Sequence, residues 1–219
     1  MKKYLIVALI IIAGLSLWAY RAFASSVGPN HCSIEANNTS IGSLAWLSTT
    51  NACVSDKTTD DWENFPTTDT VSNYLEVTGF GFSVPTSATI TGIVVEIERY
   101  ADGVNTMKDN AVRIVKGGTI GTTDLSSSNY LPQGNNSTFA PYESYGSSST
   151  LWGETWTYSD INSSNFGVAY SVKQVTGSDN IASVDDFRVT IYYTTSSGTV
   201  QSQVRSGNIK VKSGNVIYK

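Results

Sequence analysis

A two-residue apolar period, repeated along most of the chain, constrains the fold more than any other feature. In "ATITGIVVEIERY" the residues Ile93, Val95 and Ile97 share one face, and Val94, Glu96 and Glu98 take the other. "NAVRIVKG" sets Val112 and Ile114 against Arg113 and Val115. "NFGVAYSV" aligns Phe166, Val168, Tyr170 and Val172, and "VDDFRVTIYYT" divides Phe187, Val189, Ile191 and Tyr193 from Arg188, Thr190 and Tyr192. Alternation of this kind is the pattern of a strand buried on one face. A further strand is predicted in "VSNYLEVTGFGFSVP", stopped by Pro85. No apolar stripe with a 3.6-residue period runs beyond two turns. Only "TYSDINSSNFG" offers a single helical turn, with Ser159 or Asp160 as its cap. Strands separated by Gly, Asn and Ser predict an all-β chain, an antiparallel β-sandwich of jelly-roll-like type. "ADGVNTMKDN" and "DLSSSNYLPQGNNSTFAPYESYGSSST" read as long loops, where binding residues would be expected.

The two ends differ from this body. Met1-Lys-Lys-Tyr, an apolar run from Leu5 to Tyr20, and Ala22-Phe-Ala24 have the order of a secretory signal peptide cut after Ala24. The apolar run is 16 residues, shorter than the ~20 of a spanning helix, although Arg21 leaves an uncleaved anchor as the alternative. The expected organisation is therefore a signal peptide (1–24), a disulfide-tethered N-terminal segment (25–64), a sandwich domain (65–194) and a basic strand-forming tail (195–219). A secreted chain at the cell surface or outside it follows, without a membrane span once the signal is removed.

Charge is divided unevenly. Residues 25–193 hold seven cations against eighteen acids, a formal −11, whereas the segment from Thr194 holds Arg205, Lys210, Lys212 and Lys219 and no acid. A body this acidic would repel phosphates, so nucleic acid is not an expected partner. The tail carries a seven-residue repeat, "RSGNIKV" then "KSGNVIY". Its alternation, with Arg205, Ile209, Lys210, Val211, Lys212, Val216, Ile217, Tyr218 and Lys219 as the contributing residues, reads as an assembly tail. It would add a strand to a second copy or to another acidic surface protein. A hairpin closing on the tail's own domain is the simpler alternative.

Candidate chemistry is sparse. Cys32 and Cys53 are the only thiols, and an even pair in an exported chain is expected to form a disulfide. The alternative, metal ligation with His31, matches no zinc spacing. No P-loop, nucleophile elbow or zinc-protease motif occurs, and His31 is the sole histidine, so no catalysis is expected. Asp60 with Asp61, and Asp185 with Asp186, would point to opposite faces if extended, which argues against a shared two-carboxylate site. Asp102, Asn105 and Asp109, with Asn110, are hard oxygen ligands suited to Ca²⁺ in one loop. They match no dedicated calcium spacing, so solvated turn residues and no cofactor are the expectation. Trp152 and Trp156 bracket "GET" and would stack on a glycan if exposed, or plug the core if not.

Four stretches, "FGFSVPTSATITGIVVEIERYADG", "DNAVRIVKGGTIGTTD", "YGSSSTLWGETWTYSDINSSNFGVAYSV" and "VDDFRVTIYYT", together resemble a β-sandwich structural domain. It is similar to modules of phage virion and tail-associated proteins and of bacterial cell-surface proteins, over roughly residues 65–194. The resemblance implies an architectural or adhesive role and brings no catalytic residues. Virion subunits assemble in the cytoplasm, so the export signal moves the expectation toward the cell surface. The reading from sequence is thus an exported structural subunit, with a carbohydrate-binding or adhesin module as the rival class and a glycoside hydrolase third.

Overall fold

The structure, a computed structural model, describes residues 22–56, 61–134 and 141–196. Among these residues ten strands form two five-stranded sheets. They are β1 (Ala22–His31), β2 (Ile34–Asn38), β3 (Asp61–Phe65), β4 (Tyr74–Thr78), β5 (Ala88–Ala101), β6 (Met107–Lys116), β7 (Thr119–Ile120), β8 (Tyr142–Ser147), β9 (Gly167–Gln174) and β10 (Asn180–Ser196). One sheet has the order β1-β10-β5-β8, with β3 also pairing β10, and the other runs β2-β4-β9-β6-β7. Apart from β6 and β7, neighbouring strands are not consecutive in sequence, as in a jelly roll, and the chain crosses between sheets repeatedly.

The alternation read from the sequence places the core. Ile93, Val95 and Ile97 of β5 and Phe187, Val189 and Ile191 of β10 are fully buried against Val112 and Ile114 of β6 and Val168, Tyr170 and Val172 of β9. Tyr170 and Phe187 meet across the two sheets, ring centroids 6.0 Å apart in an edge-on arrangement. Phe80, Phe82 and Val84, expected to continue a strand, are buried in irregular chain after β4 ends at Thr78. Phe166 receives the two phenylalanines edge-on. The β6–β7 hairpin turns through Gly117 and Gly118, both at positive φ, which a two-residue turn between right-twisted strands requires.

Two further expectations are corrected. The helical turn is Tyr158–Ile161, and its cap is Thr157 rather than Ser159 or Asp160. Thr157 Oγ1 accepts the Asp160 N–H while the Asp160 carboxylate accepts the Thr157 N–H, a reciprocal box. Burial pushes the Asp160 carboxyl up, but the Thr157 hydrogen bonds and Lys116 outweigh it and hold the group below its ordinary value. The stretch "ADGVNTMKDN" is loop only as far as Thr106, because β6 begins at Met107. Asp109 therefore lies in a strand.

Segment 25–64 supplies strands to both sheets: β1 borders β10, and β2 borders β4. The expected cleavage point after Ala24 falls within β1. Residues 1–21 of the expected signal peptide and residues 197–219 of the expected tail lie outside the described residues.

Candidate functional site

Polar side chains gather in two places, and each joins chain segments that sequence spacing keeps apart. The first lies between the sheets. Asp109 on β6 accepts hydrogen bonds from Tyr145 of β8 at 2.7 Å, Tyr170 of β9 at 2.9 Å and the Ser127 N–H at 3.0 Å. Arg99 of β5 closes the group with Nε 2.9 Å from one carboxylate oxygen and Nη2 3.2 Å from the other. The Arg99 and Asp109 side chains have 1% and 0% exposure, so this ion pair is out of water. A register shift between Asp109 and Ala111 makes the arrangement possible, since it lets Asp109 and Val112, three residues apart, both face inward. Burial and then the Asp109 charge push the Tyr145 and Tyr170 hydroxyls well above their ordinary range, keeping them as donors. Burial opposes the Arg99 charge, but Tyr170, Asp109 and Tyr145 outweigh it and hold its proton more tightly than usual. A charge pair with every oxygen satisfied clasps the sheets. With no water or ligand access it is structural.

The second group sits on the outer side of the first sheet, around the disulfide. Cys32 and Cys53 are bonded, with Cα atoms 4.9 Å apart. Both anchor to the same point of β10: Cys32 N donates to Phe187 O at 3.3 Å, Phe187 N donates to Ala52 O at 3.0 Å, and Cys53 bridges Asp186. Beside them His31 Nδ1 lies 2.9 and 2.8 Å from the two oxygens of Asp186, which also accepts from Tyr142 at 2.7 Å. Asp186 is fully buried and the imidazole is 48% exposed. Glu98, opposite Asp186 across the β5–β10 pair, accepts from Ser55 at 2.8 Å. One row out, Arg188 binds Glu96 through two nitrogens, at 3.0 and 2.9 Å, and stacks on the Tyr142 ring.

Nothing local in the sequence couples His31 to Asp186, which follows it by 155 residues. A carboxylate on Nδ1 is the orientation that readies the other ring nitrogen as a base. A nucleophile is the missing part. No hydroxyl among the described residues bonds that nitrogen, Ser55 is engaged by Glu98, and both thiols are in the disulfide. The disulfide also removes the thiolates needed for the metal alternative at His31.

The remaining sequence candidates are scattered. Trp152 is 1% exposed, and its indole N–H donates to Ile93 O at 3.0 Å, so it plugs the sandwich and offers no face to a sugar. Trp156 is half-buried, edge-on to Phe166, with Lys116 over its ring. Asp102 accepts from Ile181 N, the Asn105 carbonyl accepts from Thr176, and Asp109 is committed to the clasp, so the three do not converge. Among the described residues no cluster of three His, Cys, Asp or Glu could hold a metal.

The sheets leave edges uncovered. The β6 side of the second sheet is closed by β7 and by loop bonds such as Leu125 N to Val112 O and Leu131 N to Met107 O. β1, β8 and β2 end their sheets with no further strand among the described residues. Phe23 on β1 and Ile34 on β2 are large apolar residues more than half exposed.

No protein-family model matches the chain, and no curated protein matches it. Among solved structures it is similar to the infectious bursal disease virus VP2 subviral particle, at 10% identity with a TM-score of 0.27, over 83% of this chain and 34% of that one. It is similar also to the infectious bursal disease virus Gx strain structure, at 11% identity with a TM-score of 0.26 over 83% and 34%. The chain thus spans about a third of the length of these structures. Superposition this loose carries no functional weight.

Proposed function

We propose that this chain is an exported, non-catalytic structural subunit that associates with further copies through β-strand and charge contacts, with residues 199–219 as the donor. The observation that carries the reading is the set of three open sandwich edges on a closed body. The core is sealed by the interior clasp and the disulfide, while β1, β2 and β8 expose unpaired strand edges. Long uncovered edges are normally paired or protected in a lone subunit. Opposite charge supports the same reading, since the acidic body attracts the four tail cations and steers approach. An intramolecular disulfide is compatible with an extracellular protein. Deleting 199–219 tests the reading: the truncated chain should keep the fold by circular dichroism and lose self-association in sedimentation. Assembly undiminished by the truncation would reject it.

A further inference from the structure

Three edges are open, and they are not equivalent acceptors. β1 carries no acid. β8 carries Glu143 but no exposed large apolar residue. β2, Ile34-Glu35-Ala36-Asn37-Asn38, combines both: Ile34 is 54% exposed, and Glu35 and Glu76, the latter on neighbouring β4, have no cationic partner among the described residues. Glu76 is met only by the Asn38 amide, at 2.6 Å. Glu35 Oε2 is out of water and accepts no hydrogen bond in the described structure. The side chain as a whole is only half-buried, so a cation on one further strand could approach the carboxylate.

We propose that the free edge of β2 is the acceptor for residues 209–212 of a second copy. This rests on the assembly reading and specifies its docking site. The match is one of alternation. β2 sets Glu35 and Asn37 toward one face and Ile34 and Ala36 toward the other, following their cross-strand partners Val77 and Leu75, and Thr78 and Glu76. In the tail sequence Ile209-Lys210-Val211-Lys212 an extended chain sets its lysines toward one face and its apolar residues toward the other. One register then brings a lysine beside Glu35 and an aliphatic residue beside Ile34 together; a slip by one residue loses both. Main-chain bonds along the five-residue edge supply affinity, and the alternate side chains supply choice.

Complementation tests this. The variant Glu35→Lys keeps its tail but has a spoiled acceptor, and the chain lacking 199–219 keeps the acceptor but has no donor. Each alone should remain monomeric, and mixed they should form a one-to-one complex by sedimentation velocity. The exposed Ile34→Lys change gives the same readout without touching a buried group. It should weaken association of the intact chain up to about fivefold, the effect of losing one apolar cross-strand pair. Lys210→Glu combined with Glu35→Lys should restore it. If truncation abolishes assembly while both β2 variants associate like wild type, the acceptor lies elsewhere and the assembly reading stands. If the truncated chain still assembles, the reading fails, and this inference with it.

Discussion

Replacing Arg99 by Met isolates the energetics of the interior clasp. The substitution roughly conserves apolar volume but leaves the Asp109 carboxylate, 0% exposed, with only its neutral donors Tyr145, Tyr170 and Ser127 N. Breaking a buried pair from one side costs about 3–5 kcal/mol, because the surviving charge stays desolvated. With a urea slope of about 2 kcal/mol per molar for a domain of this size, the midpoint should fall by roughly 2 M. Asp109→Leu paired with Arg99→Met removes both charges but strands two tyrosine hydroxyls, at about 1–3 kcal/mol each. Adding Tyr145→Phe and Tyr170→Phe removes that cost, so the all-apolar quadruple variant should recover most of the loss. Trp46 and Trp152 are buried and report unfolding by fluorescence under non-reducing conditions. A single Arg99→Met chain within 1 kcal/mol of wild type would refute the reasoning. So would a quadruple variant no more stable than the single one, since the penalty would then not come from unpaired charge.

Other expectations follow from the same structure. Reduction of Cys32–Cys53, or a double Cys→Ser change, should cost about 3 kcal/mol on the chain-entropy view of a loop of this length, read as a shift in urea midpoint. Val189→Asp should destabilise by several kcal/mol through a buried unpaired charge, and Thr190→Asp on the half-exposed face by much less; equal tolerance of both would mean the strand phase is wrong. Thr157→Ala should lower stability by about 1 kcal/mol. Because the Asp160 carboxyl is held below its ordinary value, its stabilisation is present above the unfolded carboxylate range and lost as pH falls through the folded value. An Asp160→Asn chain should therefore lose part of the acid sensitivity in a pH series of thermal melts. Broad esterase and glycosidase panels should show no turnover; activity abolished by His31→Ala or by a single acid change would overturn the non-catalytic reading.

The core was legible where one face of a strand is buried, because period two then maps directly onto inside and outside. Phe187, Val189 and Ile191 show this, as do Val112 and Ile114. The clasp was not, because a bulge shifts the phase of β6 at Asp109, and a charged residue beside a polar loop reads as solvated. Val115 has the outward phase yet is fully buried, packed in a small cluster with Tyr74, Ala111 and Ala169 that local periodicity does not reveal. The helix cap was available in "TYSD", a Thr followed three residues later by an acid, which Ser159 and Asp160 distracted from. Cys32 and Cys53 needed only counting. His31 and Asp186 meet through the whole topology of the sheet, and β2, with Glu35 and Asn37 on its half-buried side, has too few apolar residues to announce itself as a strand.

The most direct measurement of the central claim is sedimentation velocity of the intact protein across a concentration series at low and moderate salt. Assembly through opposite charges should give larger species as concentration rises, and these should disperse as salt screens the contacts. A single monomeric species at every concentration and ionic strength would contradict the account.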